Sequence, residues 1–136
     1  MAEGLNPGVR GQREAVVGDE HLATRLAEGM VAVFSTPTMV GLMEGVAADS
    51  VLSLLPPGHT TVGGRVDIRH LAATPPGMRV RIYSELTAVD GRNLVFNVWA
   101  EDEIERIGEG THYRTVIDKA RFESKIARKA DAASPR

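Results

Sequence analysis

The alternation of apolar and polar residues along the chain predicts a short strand, a long helix and then a run of strands. Ser35-Thr36-Pro37 is a helix-start signal, a capping hydroxyl followed by proline at the first helical position. Apolar residues then recur at helical spacing until Pro56-Pro57-Gly58 ends the helix. Before this helix, the pattern predicts a strand over Gln12–Val17 and a short helix over Asp19–Glu28, with Asp19 as its N-cap.

After residue 58 the hydrophobic period changes to two, which is typical of strands with one buried face. On the first of these strands, Val66, Ile68 and His70 share a face. The last strand is predicted over Ile107–Ile117, and a C-terminal helix over Arg121–Lys129. Candidate bulge positions in the last strand are Gly108 and Gly110.

One long helix followed by an antiparallel series of strands with a single apolar face predicts an α+β fold. The sheet must wrap around the helix, because nothing else in the chain can cover it. We expect a domain over residues 11–129, with flexible tails at 1–10 and 130–136. The open edges of so small a sheet predict that it pairs with a second copy of the chain.

Composition narrows the classes of function. The 136 residues fit one globular domain, and 16 basic against 18 acidic side chains argue against nucleic acid as a partner. The absence of cysteine excludes disulfides and thiolate metal sites, and no metal-binding or nucleotide-binding motif is present. No apolar run approaches the roughly 20 residues that cross a bilayer, and the first residues do not resemble a secretory signal. We therefore expect a cytoplasmic protein without membrane contact, metal or cofactor.

Two titratable side chains fall on faces that are otherwise apolar. On a helical wheel Glu44 lies in line with Ala47 and Val51, and strict alternation puts His70 on the strand face that covers the helix. A buried carboxylate is costly unless it is paired or functional, and perturbed acid–base pairs concentrate at functional sites. The alternatives are a slightly rotated helix that exposes Glu44 and a core histidine bound to a backbone group.

Other polar candidates carry weaker signals. Thr36 is predicted to cap the long helix, although free amides at a helix N-terminus also suit a developing oxyanion. His112 and Arg114 share parity on the last strand, where they either point together toward a ligand or blunt an exposed edge.

Four segments follow one another along the chain: Ser35–Glu44, Thr60–Gly63, Arg69–Gly77 and Ile107–His112. In sequence, order and spacing they resemble the fluoroacetyl-CoA thioesterase-like branch of the hotdog-fold thioesterases, and the resemblance extends over residues 12–125. It implies an antiparallel sheet wrapped around a central helix, with acyl-CoA bound at the interface of a homodimer or of a dimer of dimers.

The resemblance also implies roles for individual residues. The family's catalytic threonine, glutamate and histidine correspond to Thr36, Glu44 and His70. The positions that correspond to substrate-binding residues are Gly63, Arg114, Met30 and Phe34. Met30 stands where the family's fluoroacetyl-specific member has a lid phenylalanine, and Phe34 is the only aromatic residue nearby. No cofactor is expected apart from coenzyme A as part of the substrate.

The sequence therefore predicts an acyl-CoA thioesterase in which Glu44 acts as general base or nucleophile and His70 stabilises developing charge. A non-catalytic acyl-CoA or small-acid binding module is the alternative, and the absence of an aspartate–histidine hydratase motif disfavours a hydratase. If Thr36 and Glu44 lie on one helix, about 12 Å separates them along its axis. The site then needs a folded-back loop or a second subunit. A bulge between Gly63 and His70 is also required, because their sequence parity is opposite.

Overall fold

The structure, a computed structural model, describes residues 4–133, and residues 1–3 and 134–136 lie outside the described part. Its strands are β1 (Arg10–Val16), β2 (His59–His70), β3 (Arg79–Asp90), β4 (Asn93–Glu101) and β5 (Arg106–Asp118), and its helices are α1 (Thr36–Leu52) and α2 (Lys119–Ala133). The strands form one antiparallel sheet in the order β1-β3-β4-β5-β2. Because α1 packs against all five strands, the predicted α+β fold is confirmed.

The core forms between α1 and the concave face of the sheet. Met43 and Ala47 are fully buried on α1, and Ile82, Leu86 and Phe96 face them from the sheet. The buried stripe of α1 is completed by Met39, Val46 and Val51. This stripe is rotated away from Glu44, whose side chain is 43% exposed. The prediction that Glu44 lies inside the buried stripe is therefore wrong, since the carboxylate stands at its margin.

The predicted helix over Asp19–Glu28 is also wrong. Two short 3-10 turns occupy Asp19–His21 and Ala23–Arg25, and Gly18 instead of Asp19 precedes the first of them. Leu22 and Phe34 form an isolated bridge, and the Ala23 N–H donates to the Val33 carbonyl at 2.9 Å. A continuous helix needs these backbone groups for its own ladder, so pairing with residues 33–34 prevents it.

Strand β2 contains the bulge that is needed for Gly63 and His70 to face the same side of the sheet. The register shifts between Gly63 and Arg65, so that Gly63 pairs with Arg114 and His70 pairs with Gly108. Both β2 residues consequently face α1 in spite of their opposite sequence parity.

The predicted bulge at Gly110 is wrong, because Gly110 pairs regularly with Ile68 and Val98. Beside Gly108 the β4–β5 register does shift, since Ala100 pairs with Gly108 but Glu101 pairs with Arg106, which leaves Ile107 as the extra residue.

Gly108 also has a packing role. A Cβ there would lie 2.6 Å from the Sδ and Cε atoms of Met39, so the missing side chain leaves room for α1. The helix can therefore approach the sheet closely at the end where α1 begins.

Ordered structure continues on both sides of the predicted domain over residues 11–129. Leu5 is buried in the core, and the Gly8 N–H donates to the Leu86 carbonyl at 2.8 Å. Helix α2 includes the predicted Arg121–Lys129 segment and continues to Ala133. The proposed domain limits and the flexibility of the tails stay predictions. Between residues 4 and 133, no helix combines the length and apolar character needed to span a bilayer.

Candidate active site

Two neighbouring hydroxyl groups at the start of α1 have different hydrogen-bond partners. The Ser35 hydroxyl caps the helix, accepting from the Thr38 N–H at 3.2 Å and donating to Thr38 Oγ1 at 2.7 Å. The prediction that Thr36 is the cap is therefore wrong. Thr36 is the first helical residue, and its Oγ1 lies 2.7 Å from Nδ1 of His70.

His70 ends β2 beside this hydroxyl. Burial lowers the pKa of His70, and the nearby backbone of Ala72 opposes the shift to a smaller extent. The ring is consequently neutral at neutral pH. Its Nε2 atom is buried and, within residues 4–133, has no partner of hydrogen-bonding geometry. Thr36, His70, Phe34 and Leu71 line a groove of about 360 Å³, so this end of the sheet can hold a small group.

A second cluster surrounds Glu44 in the middle of α1. The Glu44 Oε2 atom lies 3.6 Å from Nη1 of Arg114, which β5 holds opposite Gly63. Arg114 is nearly buried, and its Nε and Nη2 atoms donate to the side chain and the carbonyl of Thr61 at 2.7 and 3.0 Å. Burial lowers the pKa of Arg114, and the Glu44 carboxylate opposes that shift. A fixed buried cation thus faces one side of a carboxylate whose other side is open.

Gly63 forms the wall next to this carboxylate. A Cβ at position 63 would lie 2.9 Å from Glu44 Oε2 and 3.0 Å from Arg114 Nη1. Any side chain would therefore push into the space between the two charged groups. The neighbouring Gly64 has no atom within 4 Å of its own hypothetical Cβ, so only Gly63 is constrained by close approach.

His112 belongs to this cluster, although the sequence left open whether it points with Arg114 toward a ligand or blunts an exposed edge. It is 1% exposed, and its Nδ1 atom lies 2.8 Å from the Arg65 carbonyl. A carbonyl only accepts, so Nδ1 carries the proton and Nε2 of the neutral ring accepts from Arg114 Nη1 at 3.1 Å. Burial lowers the pKa of His112, with Arg114 adding to the shift and the Arg65 carbonyl and Glu44 opposing it. The sequence signal for this placement is that His112 and Arg114 lie two residues apart on one strand and therefore share a face.

The two clusters do not meet within one chain. Eight residues of α1 separate Thr36 from Glu44, which corresponds to about 12 Å along the helix axis. On the sheet, the partners of Gly63 and His70 are Arg114 and Gly108, six residues or roughly 20 Å apart on β5. The threonine–histidine pair and the glutamate–arginine cluster are therefore separate half-sites in a single copy.

The two predicted substrate-binding residues before α1 have different environments. Met30 is 47% exposed, and its neighbours Leu26 and Val31 are also exposed apolar residues. Phe34 is 1% exposed and packs edge-to-face with His21, their ring centroids 6.4 Å apart. Phe34 therefore belongs to the core and forms the inner wall of the Thr36 groove, while Met30 is available to contact another molecule.

No group of three histidine, aspartate or glutamate side chains suited to a metal ion occurs in the described part of the chain. The two clusters themselves supply a neutral imidazole, a hydroxyl, a carboxylate and a buried guanidinium. Such groups move protons and stabilise an oxyanion.

Comparison with known proteins gives a consistent result. The sequence model of the family described as fluoroacetyl-CoA-specific thioesterase matches residues 17–120. Over 100 residues the chain is 42% identical to the fluoroacetyl-CoA thioesterase of Streptantibioticus cattleyicolor, a match that covers 74% of this chain and 72% of that protein.

Solved structures agree with the sequence match. A structure of a fluoroacetyl-CoA thioesterase has a TM-score of 0.88 and 34% identity, covering 98% of this chain and 100% of the other. A thioesterase superfamily member from Thermus thermophilus has a TM-score of 0.88 and 31% identity over 96% of both chains. A hot-dog-like protein from Thermanaerovibrio acidaminovorans, at 21% identity and a TM-score of 0.85, shares the fold. The hotdog architecture expected from the sequence is confirmed.

Proposed function

The chain belongs to the fluoroacetyl-CoA-specific thioesterase family, and we propose that it cleaves a small acyl-CoA in a site that two copies build together. As a member of this family on the hotdog fold, it is an acyl-CoA thioester hydrolase. Water and the thioester react, and a carboxylate and free coenzyme A are the products. Coenzyme A takes part only as a portion of the substrate. The predicted cytoplasmic location is kept as part of this proposal, because acyl-CoA is found in the cytoplasm.

We propose a shared site because the two half-sites, the Thr36–His70 pair and the Glu44–Arg114 cluster, lie too far apart within one chain to act on the same thioester. Strand β2 is an edge of the sheet, twelve residues long, and Val66 at its middle is 45% exposed. An exposed edge of this length readily pairs with another strand. Val66 lies roughly midway between Gly63 and His70. A twofold axis at Val66 would therefore bring His70 of the partner subunit beside Gly63 and Glu44.

In this dimer the acyl carbonyl lies between the two half-sites. Glu44 takes a proton from water, whose oxygen bonds to the carbonyl carbon, and Arg114 keeps the carboxylate ionised and oriented. Amide groups at Gly63 and at the start of the partner subunit's α1 stabilise the resulting oxyanion. The carbon–sulfur bond then breaks, and the neutral ring of His70 of the partner subunit, oriented by the adjoining Thr36 hydroxyl, donates a hydrogen bond to the leaving thiolate. The thiolate then takes the proton that Glu44 removed from water, which restores the carboxylate.

Direct attack by Glu44, with a transient anhydride, is the second chemical route through the same residues. Water then cleaves the anhydride and restores the carboxylate. Trapping with hydroxylamine during turnover distinguishes the two routes, because only the anhydride converts Glu44 to a hydroxamate.

The acyl group is proposed to be small. The groove beside Thr36 and His70 holds about 360 Å³, and part of that volume must accept the end of the pantetheine arm. The loop that carries Met30 would close over the acyl group from the partner subunit. Met30 is flexible and lacks an aromatic ring, so we expect it to tolerate several short acyl groups.

A thiol-release assay with short, branched and halogenated acyl-CoAs tests the activity. Glu44→Gln and His70→Ala are each expected to be inactive, and their mixture tests the shared site. After subunit exchange at equal amounts, half of the dimers contain both variants and one intact site, so about a quarter of the wild-type activity should return. A mixture as inactive as its components would contradict the shared site. Saturable acyl-CoA binding without thiol release would instead favour the binding module.

A further inference from the structure

A cationic groove lies at the end of the sheet where β5 runs into α2. Arg121, Lys125 and Arg128 line it from one face of α2, at the spacing of successive helical turns. Arg92, in the turn between β3 and β4, closes the opposite side. Partly buried Phe122 contributes an apolar surface, and the groove encloses about 460 Å³.

The charge of this groove is not neutralised by the described residues. Among residues 4–133 none of its four cations belongs to an ion pair, and the one carboxylate in its lining, Asp118, accepts from the Arg121 backbone N–H at 3.1 Å. The arginines that do pair with glutamate are Arg10, Arg69, Arg79, Arg81, Arg106 and Arg114. The whole chain has a net charge of −2, so this groove is a local positive region on an otherwise slightly acidic protein.

From these observations we infer that the cationic groove binds the phosphorylated adenosine end of the acyl-CoA substrate. The inference rests on the proposed function, because it names the subsite for the part of the substrate that does not react. Three arginines and a lysine match the diphosphate and ribose phosphate of coenzyme A, since guanidinium groups bind phosphate oxygens in pairs. Phe122 offers the adenine ring an apolar face for stacking.

The distance from the Glu44 cluster agrees with the length of the substrate. Asp118, in the groove lining, is four residues beyond Arg114 on β5, or about 14 Å along the strand. The pantetheine arm contains two amide units and has the length of about four extended residues, again about 14 Å. Measured along β5, an acyl-CoA with its thioester at Glu44 is therefore long enough for its phosphates to reach the cationic groove.

Steady-state kinetics of Arg121→Gln/Lys125→Gln/Arg128→Gln test the inference, since glutamine keeps the helix propensity while removing charge. We expect the KM for acetyl-CoA to rise about tenfold at unchanged kcat, because the variant lacks three exposed charge contacts with the substrate phosphates. Acetyl-pantetheine, which lacks the nucleotide, should be hydrolysed equally by variant and wild type. Lys129→Gln lies on the same helix outside the groove and is the matched control.

The ribose phosphate provides a second comparison. Wild type should bind acetyl-CoA more tightly than the dephospho-CoA thioester, and the triple variant should not distinguish them. An unchanged KM in the triple variant, or an equal rise with acetyl-pantetheine, would overturn the subsite while leaving thioester hydrolysis intact. An unchanged KM combined with weaker sedimentation on phosphatidylserine vesicles would assign the cations to a membrane surface.

Calorimetric titration with the adenosine bisphosphate fragment of coenzyme A separates the subsite from the activity. Binding that the triple variant loses and Lys129→Gln keeps would support the subsite even if no thioester is hydrolysed. Equal binding to all three proteins would overturn it.

Discussion

Gly63 leaves the space that the Glu44 carboxylate occupies: a Cβ at position 63 would lie 2.9 Å from Glu44 Oε2. The same Cβ would lie 3.0 Å from Nη1 of Arg114, so one missing side chain permits the contact between two charged groups on different elements. Backbone amides near Gly63 can thereby approach whatever molecule Glu44 contacts.

Gly63→Ala is expected to reduce activity and also to lower the melting temperature. The added methyl group displaces the Glu44 carboxylate, and it crowds the buried Arg114 Nη1 at 3.0 Å and His112 Cε1 at 3.2 Å, which have little room to move. Displacement of a reacting group by about 1 Å typically lowers the rate by up to 100-fold. Thiol-release kinetics and thermal melting measure the two effects. Gly64→Ala, whose Cβ meets no atom within 4 Å, is the control, and equal losses in both variants would contradict this explanation.

Glu44→Gln should lower kcat by about 100-fold or more, the usual contribution of a general base. The amide keeps the size of the side chain, so the helix and its packing are preserved. Asp49→Asn removes a charge from the exposed face of the same helix and should leave kcat unchanged. If Glu44→Gln retains wild-type kcat with an intact fold, Glu44 is not the base.

The two hydroxyl groups at the start of α1 should separate stability from activity. Ser35→Ala removes the helix cap and should cost about 1 kcal/mol in the free energy of unfolding. Thr36→Val removes the 2.7 Å contact with His70 and should reduce kcat, while changing the free energy of unfolding less than Ser35→Ala does. Urea denaturation and thiol-release kinetics on both variants provide the comparison, with Thr36→Ser expected to recover activity. A larger stability loss in Thr36→Val would restore the capping interpretation.

Acid should destabilise the fold through His112. Its pKa in the folded chain lies below the ordinary value of 6.5, so the unfolded chain takes up a proton first as the pH falls. The free energy of unfolding therefore decreases as the pH falls from about 6.5 through the folded pKa. His70, also lowered, adds to the effect in the same direction.

Urea denaturation of wild type and His112→Asn between neutral and mildly acid pH checks this expectation. The variant should be less stable at neutral pH, because Arg114 loses its acceptor, and its stability should fall less steeply with acid. An equal pH slope in both proteins would show that His112 does not cause the acid sensitivity.

Local patterns were sufficient for most of the fold. Alternation and helix-start chemistry predicted α1, the strands and α2 because those signals depend on neighbours within a few residues. They failed over Asp19–Glu28, where backbone pairing with Val33 and Phe34 overrides a weak helical pattern. Ser35 and Thr36 could not be distinguished as caps from composition alone, since both carry a hydroxyl and only the backbone geometry selects one.

The sequence by itself determined which helix is central, which face of the sheet covers it, and that His70 lies on that face. Periodicity of this kind is a local property and can be read directly. Only the tertiary structure decided that Glu44 stands at the margin of the core, that His112 and Thr61 hold Arg114, and that Thr36 contacts His70. These contacts join residues far apart in the chain, so they depend on strand register and on the bulge at Gly63, which no local pattern specifies.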